Sequence, residues 1–210
     1  MTFVSRQDAG IHLARRLQAD QVTVDLVLGL PRGGVVVAAQ VARELGRPLD
    51  VLIVRKIGHP WHREFALGAL AEPDIVILDE ETLSQWPDAR AELDAVIAEE
   101  RQRLRDYAAK FRPGGVPDWS GKSVVLVDDG LATGATAEAA ILAARARGVR
   151  HVAVAVPVAS VSAVERLARL ECRVTALLVD PDFKAVGEYY TRFDQTSDEE
   201  VQSLLQSGGG

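Results

Sequence analysis

The chain has 210 residues, 48% of them hydrophobic and 26% charged, which fits a folded domain with its own core and excludes a globally disordered chain. Its formal net charge of −6 argues against a nucleic-acid partner or an anionic membrane surface. One cysteine, Cys172, excludes an internal disulfide framework, and its place just before an apolar run reads as a buried small residue.

The first twenty residues scatter their charges and hold no apolar run of signal-peptide length, and no stretch of the chain is long enough to span a bilayer. The expectation is a cytoplasmic protein. Residues 23–29 ("TVDLVLG") read as a strand, and 35–45 as a helix closed by Gly46 and Pro48. Residues 50–55 ("DVLIVR") form the next expected strand. The segment 56–72 ("KIGHPWHREFALGALAE"), with Gly58, Pro60 and Gly68, reads as a long mobile loop of the functional kind. Residues 74–79 follow as a strand. Residues 88–111 read as a long helix with one solvated face and one packed face, stopped by Pro113, Gly114 and Gly115. Strands at 123–128, 151–158 and 173–179 then alternate with helices at about 133–147 and 160–170. The remainder, 181–201, is aromatic-rich and reads as a cap; 197–205 reads as an N-capped helix with acids in its first turn.

Continuous Val/Ile/Leu runs predict strands covered on both faces, and strand–helix alternation predicts right-handed crossovers. The expected fold is therefore α/β: a doubly wound, mostly parallel sheet with helices on both faces and a small C-terminal or loop hood. The expected divisions are a core over 1–180 with a helical insertion near 88–111, a cap over 181–206 and a disordered tail over 207–210.

The most informative stretch is 124–136, "VVLVDDGLATGAT". Four apolar residues run into Asp128 and Asp129, then into a small hydroxyl-bearing loop that opens a helix. Ligands of open α/β sheets sit at the carboxyl ends of strands. Successive strand residues point opposite ways, so the two carboxylates need not collide. Free N–H groups and the dipole at the start of the helix favour a phosphate. Gly134 permits close backbone approach, and Thr133 and Thr136 add hydroxyls. A phosphate beside two carboxylates would be repelled, so the pattern calls for a ligand with two ends. One end is a phosphate for the loop; the other offers hydroxyls or a metal to the acids. A ribose 5-phosphate unit has that shape. An ordinary strand-end turn is the plain alternative for an acid pair before a glycine.

This stretch closely resembles the phosphoribosyl-pyrophosphate (PRPP) signature of type I phosphoribosyltransferases: an apolar strand, two acids, then a loop ending T-G-x-T. The order of strands and helices agrees with that family over about 23–179. The resemblance implies that Asp128, Asp129, Gly130, Ala132, Thr133, Gly134, Ala135 and Thr136 hold the ribose 5-phosphate. Residues 29–38 ("GLPRGGVVVA") resemble the family's pyrophosphate loop, which often holds an unusual peptide geometry. That likeness implies pyrophosphate contacts from Arg32 and from the N–H groups of Gly33 and Gly34. A Walker loop is excluded because the Lys-Ser/Thr ending is absent. Arg55 and Lys56 resemble the basic pair at the mobile catalytic loop of orotate-type members, and would stabilise a departing pyrophosphate.

The implied reaction is displacement of pyrophosphate from the anomeric carbon of PRPP, with an oxocarbenium-like transition state. Asp128, Asp129, Arg55 and Lys56 are the implied catalytic residues. Mg2+ is the implied cofactor, carried by PRPP and assisted by Asp128 and Asp129. Closure of the 56–72 segment would exclude water. A homodimer is also implied. The acceptor is a small molecule, nucleobase-like in the family, but no base-specific hood sequence is recognisable. The long helix at 88–111 is extra relative to small family members. Two other readings stand beside this one: a PRPP-sensing regulator, including a nucleic-acid-binding form that the acidic composition opposes, and hydrolysis with water as acceptor.

His59, His62 and Glu64 offer zinc-type ligands, but their spacing is no zinc signature and Pro60 disfavours a helix. A substrate-facing histidine on the loop, or a plain surface one, is the preferred reading; His12 and His151 read as structural. Tyr189, Tyr190 and Phe193 could stack on a planar base, but anchoring the C-terminal segment is preferred.

Overall fold

The structure, a computed structural model, describes residues 2–62, 66–112, 115 and 117–208. It opens with a helix that the sequence reading did not anticipate, α1 (Arg6–Ala19). Ser5 caps it by accepting the Asp8 N–H, and Ala9, Leu13, Ala14 and Leu17 recur on its buried side. There follow β1 (Leu26–Gly29), α2 (Gly33–Leu45), β2 (Leu49–Val51), β3 (Val54–Gly58), β4 (Ala66–Ala71), β5 (Ile75–Leu78), α3 (Glu80–Ser84) and α4 (Pro87–Phe111). The chain continues through β6 (Ser123–Val127), α5 (Ala135–Ala146), β7 (His151–Ser160), α6 (Val161–Ala168), β8 (Arg173–Asp180) and α7 (Asp198–Gly208).

Five strands form a parallel sheet in the order β2-β1-β6-β7-β8. Alternate residues of each strand enter different cores. Val27, Val125, Val127 and Ala155 pack with Leu13, Val37 and Val41 of α1 and α2. Leu28, Leu126, Val154 and Val156 pack with Ala140, Ile141 and Ala144 of α5 on the opposite face. Both faces are dry, so the strands are apolar throughout rather than alternating. The expected doubly wound architecture is the one observed.

A second sheet, antiparallel in the order β3-β4-β5, corrects two expectations. Residues 50–55 are not one strand. The run breaks at Leu52 and Ile53, whose backbones bond to Gly29 O and to the Glu72 N–H respectively. The described part of 56–72 is not an irregular loop but belongs to the β3–β4 hairpin. Ile57, Leu67 and Leu70 share a core with Leu93, Val96, Ile97 and Leu104 of α4, while Ala69 and Ala71 join the α5 side. Burial of these residues against two helices holds the segment as sheet despite its glycines. The helix expected over 88–111 is α4, whose apolar stripe covers this small sheet.

The expected helix stops Pro113 and Gly114 lie outside the described residues; Gly115 takes a positive φ of 83°. Ser207 and Gly208, expected in a tail, are the last residues of α7, where Gly208 lies against Leu49; residues 209–210 are outside the described residues. Among the described residues, no helix is long and apolar enough to cross a membrane.

From β1 the chain crosses to β2 on one side, and β6 pairs with the other side of β1. Connections therefore diverge at the carboxyl ends of β1 and β6, where Gly29 is the register partner of Val127. A crevice opens at such a point because the loops following the two strands turn away from each other.

Candidate active site

The loop after β1 and the loop after β6 meet in this crevice, and two glycines permit the approach. A Cβ on Gly34 would lie 2.8 Å from the Asp128 Cα, the Asp128 Oδ1 and the Val127 carbonyl oxygen. A Cβ on Gly33 would lie 2.0 Å from Asp129 Oδ2 and 2.7 Å from Arg6 Nε. Sequence reasoning placed these glycines only as amide donors; the structure adds that α2 cannot rest on the acid pair without them. The Pro31–Arg32 peptide is cis, in the loop where the resemblance implied unusual geometry.

Asp128 and Asp129 follow the strand alternation. Val127 packs on the α1–α2 face, and two residues on Asp129 returns to that side and meets α1. There Arg6 Nε donates to Asp129 Oδ2 at 2.8 Å. The Arg6 guanidinium also lies 3.8 Å from the centre of the Phe193 ring and donates through Nη1 to the Asp194 carbonyl at 2.7 Å. The Asp129 N–H donates to Asp128 Oδ1 at 2.8 Å, and the Tyr190 hydroxyl donates to the Asp129 carbonyl at 2.6 Å. Burial, reinforced by the neighbouring Asp129 charge, pushes the Asp128 carboxyl well above the usual carboxylate range. Among the described residues these hydrogen bonds take up one oxygen of each carboxyl. The two carboxyl groups also interact side chain to side chain, so a ligand hydroxyl or a hard cation would have to share them.

Beyond the acids, the loop is fastened to β7. The Leu131 N–H donates to Val158 O and its carbonyl accepts from the Ser160 N–H, both at 2.9 Å, while Ser160 Oγ donates to Ala132 O at 2.6 Å. Gly134, at φ 76°, is the left-handed residue that starts α5 and brings no side-chain cap. Ala135 N–H reaches Thr133 Oγ1 at 3.4 Å, and Ala132, Thr133 and Thr136 are exposed. A helix start presented in this way can receive an anion. Gly130 is hemmed in by Val186, which would stand 2.7 Å from a Cβ there.

A cleft of ≈ 420 Å³ lies beside the acid pair, lined by Arg6, Arg32, Gly33, Asp128, Asp129 and Phe193 among others. Arg32 is thus placed with the acids, as its loop implied, although its Nη1 is 3.8 Å from Asp198 of α7. Arg55 and Lys56 are not brought to this cleft. They lie inside β3 rather than at the mouth of a loop, and line a separate cleft with Glu99, Glu100 and Arg103. The Arg55 Nε donates to Glu100 at 2.9 Å, and its guanidinium lies 5.6 Å from the centre of the Tyr107 ring. Glu100 is only 5% exposed, and a carboxylate so buried needs cationic partners; Arg103 is a further one, at 2.7 Å.

His59 is not a surface group, although it lies in the connection that follows β3. It is 1% exposed, ringed by Trp61, His62 and Trp86, and its Nδ1 accepts the Trp61 N–H at 3.3 Å. Glu64 lies outside the described residues, and among those described no cluster of three or more His, Cys, Asp or Glu could hold a metal. Cys172 is buried as expected, and burial raises its thiol pKa. Tyr190 does anchor the C-terminal segment, stacking on Phe193 and packing against Phe3.

Sequence reasoning missed Arg6, the orienting role of Tyr190, and Asp198. Nothing local marks Arg6, which is 123 positions from its carboxylate partner. Tyr190→Phe should lower stability by about 1 kcal/mol, because it leaves the half-buried Asp129 carbonyl without its donor. An unchanged denaturant midpoint would show that water replaces the hydroxyl at no cost.

A family model described as the phosphoribosyl transferase domain matches residues 5–190. The chain is 43% identical over 205 residues to a Mycobacterium tuberculosis protein assigned by name alone to the phosphoribosyl transferases. That match covers 97% of this chain but 46% of the relative, so the chain spans about half the length of the curated relatives it matches. The crystal structure of the protein TT1426 from Thermus thermophilus is similar over 100% of both chains, with 45% identity and a TM-score of 0.84. A purine phosphoribosyltransferase from Pyrococcus horikoshii is similar in fold alone, at 16% identity and a TM-score of 0.51 over 93% of this chain and 96% of that one.

Proposed function

This chain belongs to the phosphoribosyl transferase domain family, and from that premise we propose that it binds PRPP with Mg2+ and transfers the phosphoribosyl group to a small, nucleobase-like acceptor. The observation that carries this reading is the convergence of two loops at one switch point. Gly33 and Gly34, which open α2 after the first loop, lie directly on Asp129 and Asp128 of the second. A ligand filling that junction must be anionic at both ends and hydroxylated between them, which describes PRPP.

In this mechanism the start of α5 receives the 5-phosphate. The Asp128 and Asp129 carboxyls accept the ribose hydroxyls, and Arg32 with the first amides of α2 receives the pyrophosphate. As the bond from the anomeric carbon to pyrophosphate breaks, its electron pair leaves with the pyrophosphate and positive charge grows on the ring. The two carboxylates are then poised to stabilise that charge. Arg6 fixes the Asp129 carboxylate in place from behind, so less order has to be created when substrate arrives. Asp128 and Asp129 would hold a Mg2+ brought in by the ligand, since carboxylate oxygens are the donors a hard cation takes. The bound ion would supply charge neutralisation at the leaving pyrophosphate.

The test is calorimetry of PRPP with and without Mg2+, followed by pyrophosphate release against a panel of nucleobases and related acceptors. Absence of any PRPP binding would end this reading. Arg32→Ala should weaken pyrophosphate binding by about tenfold or more and leave ribose 5-phosphate within about threefold, since only the former meets the guanidinium. Equal losses for the two ligands would remove Arg32 from that role.

One observation favours a rival. Arg55, the residue expected to help pyrophosphate leave, is tied to Glu100 in a cleft apart from the acid pair. Under that reading the chain holds PRPP as a signal without turning it over. PRPP binding with no pyrophosphate release for any acceptor identifies this case, and a gel shift at low salt tests its nucleic-acid form.

A further inference from the structure

The family match stops at residue 190, yet the chain runs on into α7, and Phe193, Asp194, Gln195 and Thr196 on the way line the cleft of the acid pair. The first residue of α7, Asp198, meets three groups. Its Oδ2 accepts from Lys110 Nζ at 2.6 Å; its Oδ1 accepts from the Tyr107 hydroxyl at 3.4 Å and lies 3.8 Å from Arg32 Nη1. Capping does not require this carboxylate, because Ser197 Oγ already accepts the Glu200 N–H at 3.2 Å. Val201, one turn on, is fully buried, and Gln202 donates to the Lys110 carbonyl at 2.9 Å, so α7 is seated firmly on α4. The Lys110 hydrogen bond, with the Lys110 and Arg32 charges behind it, holds the Asp198 carboxyl below its ordinary range, so it is ionised at neutral pH.

We propose that α7 is a latch on the pyrophosphate subsite: Asp198 holds Arg32 in the ligand-free chain, and a pyrophosphate-bearing ligand binds by taking Arg32 away from it. The latch rests on the reading of Arg32 given above. One guanidinium edge cannot serve two anions, so the fraction of molecules with Arg32 engaged by Asp198 reduces the apparent affinity for the ligand. Lys110 makes the release reversible. It stays on Asp198 when Arg32 departs, so no half-buried carboxylate is stranded without a cation. Arg32 is one-third exposed, and ion pairs of that exposure are weak, so the latch can be opened by an ordinary substrate.

Asp198→Asn should bind inorganic pyrophosphate, in the presence of Mg2+, about fivefold more tightly than the unaltered chain, with ribose 5-phosphate affinity unchanged. Asp198→Glu should return toward the original value. A purely structural Asp198 predicts the opposite sign, because a loosened α7 would disturb the cleft. Should the substitution prevent folding, hydrogen exchange on the unaltered chain serves instead: pyrophosphate should speed exchange of the first-turn amides of α7. Unchanged or weaker pyrophosphate binding in Asp198→Asn, or slower exchange in α7, overturns the latch. Pyrophosphate binding to neither protein overturns the underlying role of Arg32.

Discussion

Gly33→Ala is expected to cost at least about a hundredfold in PRPP affinity, the scale at which a displacement of roughly 1 Å is felt at a reacting centre. The new methyl would sit 2.0 Å from Asp129 Oδ2 and 2.7 Å from Arg6 Nε. The carboxylate cannot simply swing away, because Arg6 holds it from one side and the Tyr190 hydroxyl holds the backbone of the same residue. Either α2 retreats, carrying Arg32 with it, or the Arg6–Asp129 pair opens. Both outcomes dismantle the junction that a two-ended ligand needs. Gly34→Ala meets backbone as well as the Asp128 carboxyl, with the Asp128 Cα and the Val127 carbonyl at 2.8 Å, so it should also destabilise the fold by about 1–3 kcal/mol. Gly46 supplies the control. It caps α2 at φ 60° with nothing within 4 Å of a Cβ, so Gly46→Ala should lose about 1 kcal/mol of stability and no ligand affinity. Normal PRPP binding by Gly33→Ala would show that the ligand does not use this junction.

Asp128→Asn should raise stability at neutral pH while lowering kcat/KM by about a hundredfold, the loss typical of one preorganised charge-stabilising group. The sign of the stability effect follows from linkage. The folded-state pKa of Asp128 is raised, first by burial and then by Asp129, so the folded chain prefers the protonated acid. Its favourable contribution is complete below the ordinary carboxylate pKa of about 4 and is lost as pH rises through the higher folded value. At neutral pH the acid therefore costs stability, whether it stays ionised or has to take up a proton on folding, and a neutral amide removes that cost. Asparagine also keeps an Oδ1 to accept the Asp129 N–H. The advantage of the variant in melting temperature should shrink as pH falls toward the ordinary carboxylate pKa. Asp129→Asn should move stability the other way, since it strips Arg6 of its carboxylate. A destabilised Asp128→Asn, or one with full activity, would contradict the charge assigned to this site.

These effects arise from residues of very different visibility in the chain. The parallel sheet was legible because β1, β6 and β7 are covered by helices on both faces and are correspondingly apolar. The acid pair and glycine-opened helix start after β6 were legible because strand, acids, turn glycine and helix start are contiguous. The small antiparallel sheet was not. Gly58, Pro60 and Gly68 carry the local signature of a loop, and only the covering helices α4 and α5 make a hairpin of that stretch. The first helix was obscured by its charges, one of which, Arg6, turned out to face the acid pair.

The amino-acid sequence alone determined the class of fold, the place of the acid pair at a strand end, and the presence of two loops suited to phosphate. Each depends on residues adjacent in the chain, where backbone geometry dictates what neighbours can do. Tertiary structure alone decided where the long cationic side chains end. Arg6 is on Asp129, Arg55 on Glu100, and Arg32 lies between the cleft and Asp198. A flexible guanidinium reaches whichever carboxylate packing leaves within range and short of water, and that choice is made across elements far apart in sequence.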